Sequence, residues 1–194
     1  MADLRMTFPT TEEAIRELRA GDSVTVDGHI IGIRDRTQIR IFDHGQTPPM
    51  DLSGALLLHT APNVRKVGEG RYEKICIGTT TSARMVRFTE PLGAEYGVRA
   101  ICGKGGLPDE AIEPMRRLGM VYFAIVGGAA ALETTQIEEI EEVAWEELMP
   151  ECLWKFRVKD FGPLTVAIDS HGNSLYHDVQ AEAQKRLEGL FARL

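Results

Sequence analysis

Hydroxyl-bearing residues are concentrated in one short segment of this chain, residues 78–85, with the sequence GTTTSARM. Four consecutive Thr and Ser residues are poorly suited to the interior of a helix or strand, because their side chains compete for nearby backbone groups. They suit a junction where a strand ends and a helix begins, since hydroxyls and free backbone N–H groups then face one spot. Arg84 adds a positive charge one turn later. The segment therefore predicts an anion-binding site.

Two further cations follow strand-like segments. Arg34 follows the apolar segment 29–33, and Lys104 follows the segment 98–102 within a Gly-Lys-Gly-Gly run. Ligands of open α/β sheets collect at the carboxyl ends of strands, so we expect Arg34, Arg84 and Lys104 to lie together. Arginine can hold a carboxylate through two hydrogen bonds, and lysine supplies a point charge. The three cations predict a site for a small dicarboxylate; the alternative is that each pairs with a neighbouring acid or is solvated.

The elements that must position these cations alternate along the middle of the chain. Short apolar segments predict strands at 29–33, 56–58, 74–77, 98–102 and 120–126. Helices are predicted after Arg34 and after Pro108. This alternation predicts the α/β class, with a mixed sheet flanked by helices. Asp27-Gly28, between two strand-like runs, predicts a hairpin turn.

The C-terminal third has a different composition. Eight Glu and no Lys or Arg lie between Leu118 and Trp154. This acidic stretch is either a surface for a partner or a solvated face. The three-residue spacing of Ile137, Ile140 and Val143 favours a helix. An amphipathic helix is predicted at 177–194, after a core at about 10–176, and the absence of a linker predicts one domain over 1–194.

Composition excludes several function classes. The chain has 194 residues and a net charge of −7, which argues against a general nucleic-acid binder. No apolar run approaches the length of a membrane span, and the N-terminal residues lack the apolar core of a signal peptide, so a cytoplasmic location is expected. Three cysteines without CxxC spacing predict neither a disulfide framework nor a metal site within this chain. His59, at the end of a strand, could approach the site, but it is interpreted as a surface or turn histidine.

Several motifs, in order, resemble those of a known enzyme family. They begin with Gly28 and Arg34-Asp35, continue with the TTSARM run that ends at Met85, and include the GKGG run at 103–106. Further matching segments lie at 127–132, 143–148 and 160–169. Together they resemble the beta subunit of the iron–sulfur-dependent class I fumarate hydratases and L-tartrate dehydratases, which is the C-terminal domain of the single-chain enzymes. The resemblance covers roughly residues 17–175.

This resemblance implies a fold, an activity and a partner. The expected fold is a swivelling β/β/α domain similar in architecture to the mobile domain of aconitase. The expected activity is that of a hydro-lyase that reversibly hydrates fumarate to L-malate, with L-tartrate or a methylated fumarate as alternative substrates. A cysteine-bearing alpha subunit would hold a [4Fe–4S] cluster, and this chain would hold no metal. A non-catalytic, dicarboxylate-binding regulatory subunit is the alternative from another class, and a homodimer of the isolated chain is left open.

The resemblance also assigns roles to residues. Thr80 matches the family's proposed base, and the residues matched to substrate binding or to the same loop are Arg34, Thr81, Ser82, Arg84 and Lys104. A threonine hydroxyl is a poor base unless nearby cations favour its deprotonated form. The alternative is that Thr80 only hydrogen-bonds the substrate. Ser82 would then be the base, by analogy with the serine that acts in aconitase-type chemistry.

The chain departs from the family pattern at three places. Thr79 stands where the family usually has Pro, Val86 stands where it often has Asp, and residues 36–40 lack its usual His. These departures leave Thr80 and the three cations in place. They leave the identity of the substrate open.

Overall fold

The computed structural model describes residues 2–191, with the side chains of residues 129–131 excepted. Its strands are β1 (Asp3–Phe8), β2 (Ser23–Ile33), β3 (Leu56–His59), β4 (Asn63–Gly68), β5 (Arg71–Cys76), β6 (Ala100–Gly103), β7 (Val121–Ala124), β8 (Ile137–Ala144) and β9 (Leu153–Ile168). Its α-helices are α1 (Glu12–Arg16), α2 (Asp35–Phe42), α3 (Thr89–Tyr96), α4 (Ile112–Leu118), α5 (Ala130–Gln136) and α6 (Leu175–Phe191).

Seven of these strands form one mixed sheet in the order β1-β2-β3-β6-β7-β9-β8. The neighbours from β1 to β7 are parallel, whereas β9 is antiparallel to β2, β7 and β8. Because β9 pairs with both β2 and β7, the strands β2, β3, β6, β7 and β9 close into a ring. The predicted mixed sheet with flanking helices is confirmed.

The central strands are buried on both faces. In β3, Leu56 and Leu58 belong to one apolar core and Leu57 to the other. The core that contains Leu57 also contains residues of α2, α3 and α4. Burial on both faces explains why residues 56–58 of β3 are continuously apolar, without the alternation of a half-exposed strand.

The predicted strand at 74–77 does not belong to this sheet. Among the described strands, β5 pairs only with β4, in a separate two-stranded sheet, and Ile75 is 52% exposed. The residues that follow it cross to the ends of β3 and β6, where Thr79 bridges to Thr60 and Thr81 bridges to Lys104. The prediction that the hydroxyl run follows a buried strand is therefore wrong. Backbone pairing with two sheet strands positions the run instead.

The helix favoured for the segment around Ile140 is also wrong, because this segment is strand β8. Ile137, Ile140 and Val143 lie opposite Val158, Phe156 and Trp154 of β9. Three-residue steps on β8 therefore match two-residue steps on β9. The pairing accommodates them through register shifts after Ile137 and after Ile140, each of which inserts one extra residue. Bulges in a strand can thus imitate the spacing of a helix.

Several glutamates of the acidic stretch are paired with cations of this same chain. Arg157 contacts Glu138 and Glu139, and Lys66 contacts Glu146. These carboxylates therefore have partners within the fold, although exposed pairs of this kind contribute little stability.

The hairpin predicted at Asp27-Gly28 is absent, because β2 runs without a break from Ser23 to Ile33. Gly28 has a φ of +97° and lies at a register shift against β9. A Cβ at this position would lie 2.3 Å from the carbonyl oxygen of Phe8. Gly28 therefore permits a bulge and a close approach of β1. Glycine is also typical of turns, so the residue type alone does not distinguish these cases.

Gly28→Ala should lower the free energy of unfolding by about 3 kcal/mol, because it combines a positive φ with a backbone clash. Urea denaturation of the full chain measures this loss. Gly45→Ala is the matched control. Gly45 has a φ of +62°, but apart from its chain neighbours no described residue has an atom within 4 Å of the place that an added methyl group would occupy. Its cost should be about 1 kcal/mol. Equal losses in the two variants would show that the close approach of Phe8 is unimportant.

The C-terminal helix α6 begins at Leu175, two residues before the predicted start, and residues 192–194 of that prediction lie outside the described residues. A Cβ at Gly106 would lie 2.9 Å from the Tyr176 ring, so α6 starts against the glycine-rich loop at 103–106. Within residues 2–191, no helix combines the length and apolar character needed to cross a membrane.

Candidate functional site

The hydroxyl run lies between the carboxyl ends of β3 and β6. The Thr80 N–H donates to the His59 carbonyl at 2.7 Å, and the Lys104 N–H donates to the Thr80 carbonyl at 3.2 Å. The Ser82 N–H then donates to the Lys104 carbonyl at 3.0 Å. The loop is thus bonded on both sides, and its path fixes Thr80 beside Lys104 although they are 24 positions apart in the chain.

Asp35 joins two of the predicted cations. It is the first residue of α2, directly after Arg34 at the end of β2. The Arg84 guanidinium donates to both Asp35 oxygens, with Nε–Oδ1 and Nη2–Oδ2 distances of 2.8 Å, and Arg34 Nε lies 3.3 Å from Oδ2. Burial alone would raise the pKa of Asp35, but the hydrogen bonds and charge of Arg84, with the Arg34 contact, lower it below its ordinary value. Asp35 is therefore ionised, and its carboxylate holds both guanidinium groups at this site.

Thr80 touches the same cluster. Arg84 Nη2 donates to Thr80 Oγ1 at 3.1 Å, while the other bonds of this guanidinium go to Asp35. A guanidinium at hydrogen-bond distance favours the deprotonated form of a hydroxyl. Asp35 offsets part of that charge but fixes the guanidinium in place, so Thr80 has a defined cationic neighbour.

Lys104 and Thr81 form the exposed side of the site. The Lys104 stem passes over Gly127, where a Cβ would lie 2.8 Å from Lys104 Cδ. Thr81 lies against Gly105, where a Cβ would lie 3.1 Å from Thr81 Cγ2. Glycines at these two positions thus leave room for the lysine and the threonine at the surface.

Ser82 has a different environment from the other predicted site residues. It is fully buried, and its hydroxyl oxygen lies 2.9 Å from His59 Nδ1 and accepts a hydrogen bond from Tyr122 at 3.0 Å. In this arrangement Ser82 contacts the interior, and Thr80, Thr81 and Arg84 form the outer side of the loop.

The interpretation of His59 as a surface or turn histidine is wrong, because only 1% of the residue is exposed. Burial lowers the pKa of His59 to about 3; the charge of Asp35 opposes this shift and the charge of Arg84 adds to it. His59 is therefore neutral near pH 7. His59 is the last residue of β3, directly after three apolar residues, and this position was the signal that the sequence offered. Nothing in the sequence shows that the hydroxyl loop covers it.

The structure thus brings Arg34, Thr80, Arg84 and Lys104 to one edge of the sheet, as the spacing predicted. Arg34 and Arg84 also pair with Asp35, as the alternative of a neighbouring acid expected. Sequence reasoning missed Tyr122 and the burial of His59 beneath the loop. The roles assigned to the six predicted residues remain predictions, since contacts alone do not test them.

His59 predicts a pH-dependent stability. The unfolded chain binds a proton at this histidine below pH 6.5, whereas the folded chain does not until about pH 3, so stability falls as pH falls through this window. The loss should be about 0.7 kcal/mol between pH 7 and 6 and about 1.2 kcal/mol between pH 6 and 5, approaching about 1.4 kcal/mol per pH unit at lower pH. Urea unfolding at pH 7, 6 and 5 gives the free energy of unfolding at each pH. The slope of this free energy against pH is then compared between the wild type and His59→Asn. Identical slopes for wild type and His59→Asn would contradict the prediction.

The described residues do not form a cluster site. Within residues 2–191, no group of three or more His, Cys, Asp or Glu side chains is placed to hold a metal ion. Cys102 and Cys152 are buried, and burial raises the pKa of both thiols, which disfavours the thiolate that binds iron. These cysteines therefore do not fit a [4Fe–4S] cluster held by this chain.

Comparisons with known proteins point to one family. Residues 1–179 match the family described as Fumarase C-terminus. The L(+)-tartrate dehydratase subunit beta of Escherichia coli strain K12 is 40% identical over 171 residues, which cover 88% of this chain and 85% of that protein. A Geobacillus stearothermophilus protein, assigned by name to fumarate hydratase class I, is 38% identical over 185 residues, which cover 95% of this chain and 35% of that protein.

Proposed function

We propose that this chain, which belongs to the Fumarase C-terminus family, is the beta subunit of a hydro-lyase that reversibly hydrates fumarate to L-malate. The observation that carries this proposal is the contact between Arg84 and Thr80, beside Lys104 and the Arg34–Asp35 pair. It combines a hydroxyl that can act as a base with cations that can bind a dicarboxylate.

The cations would bind and orient the substrate. Lys104 and the guanidiniums of Arg34 and Arg84 offer positive charge for two carboxylates, and the planar guanidinium adds directional hydrogen bonds. Thr81, exposed beside Lys104, would donate a further hydrogen bond. Holding both ends of a four-carbon dicarboxylate would bring its central carbons to one fixed place near Thr80.

Thr80 would act as the base. In the dehydration direction its ionised oxygen would take the proton from the carbon next to a carboxylate, the C–H electron pair would form the double bond, and the hydroxyl on the adjacent carbon would leave as hydroxide. Hydration would reverse these changes and return the proton to carbon. The Arg84 Nη2 contact at 3.1 Å favours the ionised oxygen. Lys104, paired with the same loop through its backbone, adds positive charge nearby.

A partner subunit would complete the site. The E. coli relative is named a beta subunit, and this chain covers only about a third of the Geobacillus protein, so a second polypeptide is the expected source of the remaining parts. We propose that a cysteine-bearing alpha subunit holds the [4Fe–4S] cluster, and that activity requires it. The exposed positions of Thr81, Arg84 and Lys104 support a facing surface that excludes water.

The family and the mixed sheet also support an architectural proposal. We propose that residues 1–194 form one swivelling β/β/α domain like the mobile domain of aconitase, which would close over the partner. The three cysteines are free thiols. A cytoplasmic location is proposed, since free thiols and an iron–sulfur partner suit a reducing compartment.

L-Tartrate is the second candidate substrate, favoured by the 40% identity to the E. coli tartrate dehydratase subunit. The same cations would bind its carboxylates. Its additional hydroxyl would need a hydrogen-bond partner, and sites built to bond a hydroxyl reject analogues that lack one.

The test is an anaerobic assay of the chain purified with its cysteine-bearing partner and a reconstituted cluster. Fumarate, L-malate, mesaconate and L-tartrate are compared at equal concentration. A higher kcat/KM for fumarate and malate supports the proposal, and a higher value for tartrate supports the second candidate. Dicarboxylate binding without turnover of any of the four would show instead a regulatory subunit.

A further inference from the structure

A buried chain of polar side chains lies directly beneath the loop that carries Thr80. It consists of His59 at the end of β3, Ser82 in the loop and Tyr122 in β7, none of them more than 1% exposed. The Ser82 hydroxyl oxygen joins the other two, at 2.9 Å from His59 Nδ1 and 3.0 Å from the Tyr122 hydroxyl. Burying polar groups this deeply costs free energy unless they form hydrogen bonds with one another. The three side chains therefore need the hydrogen-bonded arrangement that joins them.

The hydrogen bonds among these three side chains run in one direction. Burial raises the pKa of Tyr122, so its hydroxyl stays protonated and donates to Ser82. Ser82 can then donate its own hydrogen to His59 Nδ1, which leaves the ring proton on Nε2. Among the described residues, His59 Nε2 has no hydrogen-bond partner. An unpartnered buried nitrogen lowers stability, so His59 is poorly explained as a residue that only stabilises the fold.

His59 holds the loop on both sides of Thr81. Its side chain contacts Ser82, while its carbonyl oxygen accepts the Thr80 N–H at 2.7 Å and the Thr79 hydroxyl at 3.1 Å. Gly103 supplies the space, because a Cβ there would lie 1.9 Å from Ser82 Oγ. The backbone that carries the Thr80 hydroxyl is therefore bonded to the same residue that makes the buried contact with Ser82.

We propose that His59, Ser82 and Tyr122 are positioning residues that hold Thr80 at the place where it acts, without touching the substrate themselves. The inference rests on the proposed function of Thr80 as the base, and it gives Ser82 a different role from the predicted substrate contact. A shift of about 1 Å in a reacting group can lower the rate 100-fold, so a loop with one defined position matters for turnover.

The test uses the chain in complex with its cluster-bearing partner. Ser82→Ala and His59→Leu should each lower kcat for fumarate hydration by about 10- to 100-fold, with KM changed less than about threefold. His59→Asn keeps a polar atom near the position of Nδ1 and should recover most of the lost kcat. His59→Leu should melt close to the wild type, because it removes an unpartnered polar atom together with the contact. Ser170→Ala is the control, since it removes a buried hydroxyl that has no partner within residues 2–191.

Gly103→Ala tests the spatial argument. Alone it should lower kcat as Ser82→Ala does, because its methyl group occupies the place of Ser82 Oγ. Added to Ser82→Ala, it should cost little more, since the nearest remaining atoms would be the Cβ of residue 82 and the Tyr122 hydroxyl oxygen, each at 3.3 Å. If the double variant lost kcat by the product of the two single losses, Gly103 and Ser82 would act independently, which would contradict the spatial argument.

Other outcomes separate this inference from the proposed function. An active wild type whose Ser82→Ala variant keeps its kcat overturns the inference alone, and so does a raised KM at full kcat, which would make Ser82 a substrate contact. A wild-type complex inactive on all four substrates overturns the proposed function. In that case, hydrogen exchange of the Thr80 amide in the full chain decides the inference: Ser82→Ala should accelerate it about tenfold or more, and an unchanged rate overturns it.

Discussion

Thr80→Ala should lower kcat for fumarate hydration by about 10² to 10⁴, the range that a positioned base usually contributes. The Thr80 hydroxyl accepts a hydrogen bond from Arg84 at 3.1 Å, and the backbone of residue 80 is bonded to both His59 and Lys104. Alanine keeps that backbone and removes only the hydroxyl and methyl groups. Substrate binding should change little, because the cations remain. Steady-state kinetics of the reconstituted complex give kcat and KM separately.

Thr80→Ser is the matched variant, since it retains the hydroxyl. It should keep activity within about tenfold of the wild type. If Thr80→Ala had the wild-type kcat, the assignment of the base would be wrong. If alanine raised KM and left kcat unchanged, Thr80 would be a binding group and not a base.

Arg84→Lys should lower kcat/KM by about 100-fold. A lysine keeps the charge but cannot make the two-point contact with Asp35 while also donating to Thr80. Each charge-assisted hydrogen bond of this kind contributes about 1.5–3 kcal/mol, so losing the directed contacts suffices for this effect. The measurement is kcat/KM for fumarate, with dicarboxylate affinity from calorimetry.

Arg87→Lys is the matched control. Arg87 lies one turn further along the same 3₁₀ segment, Ala83–Phe88, and also holds an aspartate, Asp43, through two bonds of 2.8 and 2.6 Å. This exposed pair makes no contact with Thr80 or Asp35 among the hydrogen bonds of the described residues, so the variant should keep the wild-type kcat/KM. Equal effects of Arg84→Lys and Arg87→Lys would mean that the loss comes from replacing any arginine of this segment by lysine, and not from the contacts of Arg84 at the site.

The site was predicted more accurately than the path of the chain that forms it. Arg34 and Lys104 follow β2 and β6, and parallel strands place such residues at one edge, so their meeting could be foreseen. The position of Arg84 was predicted from a strand at 74–77 that is not part of the sheet. The prediction succeeded because residues 79–82 pair with Thr60 and Lys104, a non-local contact that local pattern does not show.

The errors in secondary structure have a common cause. Gly28 was interpreted as a turn, and the spacing around Ile140 as a helix, but both mark register shifts against β9. A bulge is defined by two strands together, so the sequence of one strand alone cannot distinguish it from a turn or a helical period.

The sequence by itself determined the chemical groups of this protein: a hydroxyl run, three cations after apolar segments, and ordered motifs that identify a family. Residue type and local spacing carry that information directly. The tertiary structure alone decided which groups face the surface and which lie beneath it, burying His59 and Ser82 and leaving Thr81 and Lys104 exposed. The reason is that burial and hydrogen bonding at this loop depend on β3, β6 and β7, whose residues 59, 103 and 122 are distant in the chain and meet only when the sheet forms.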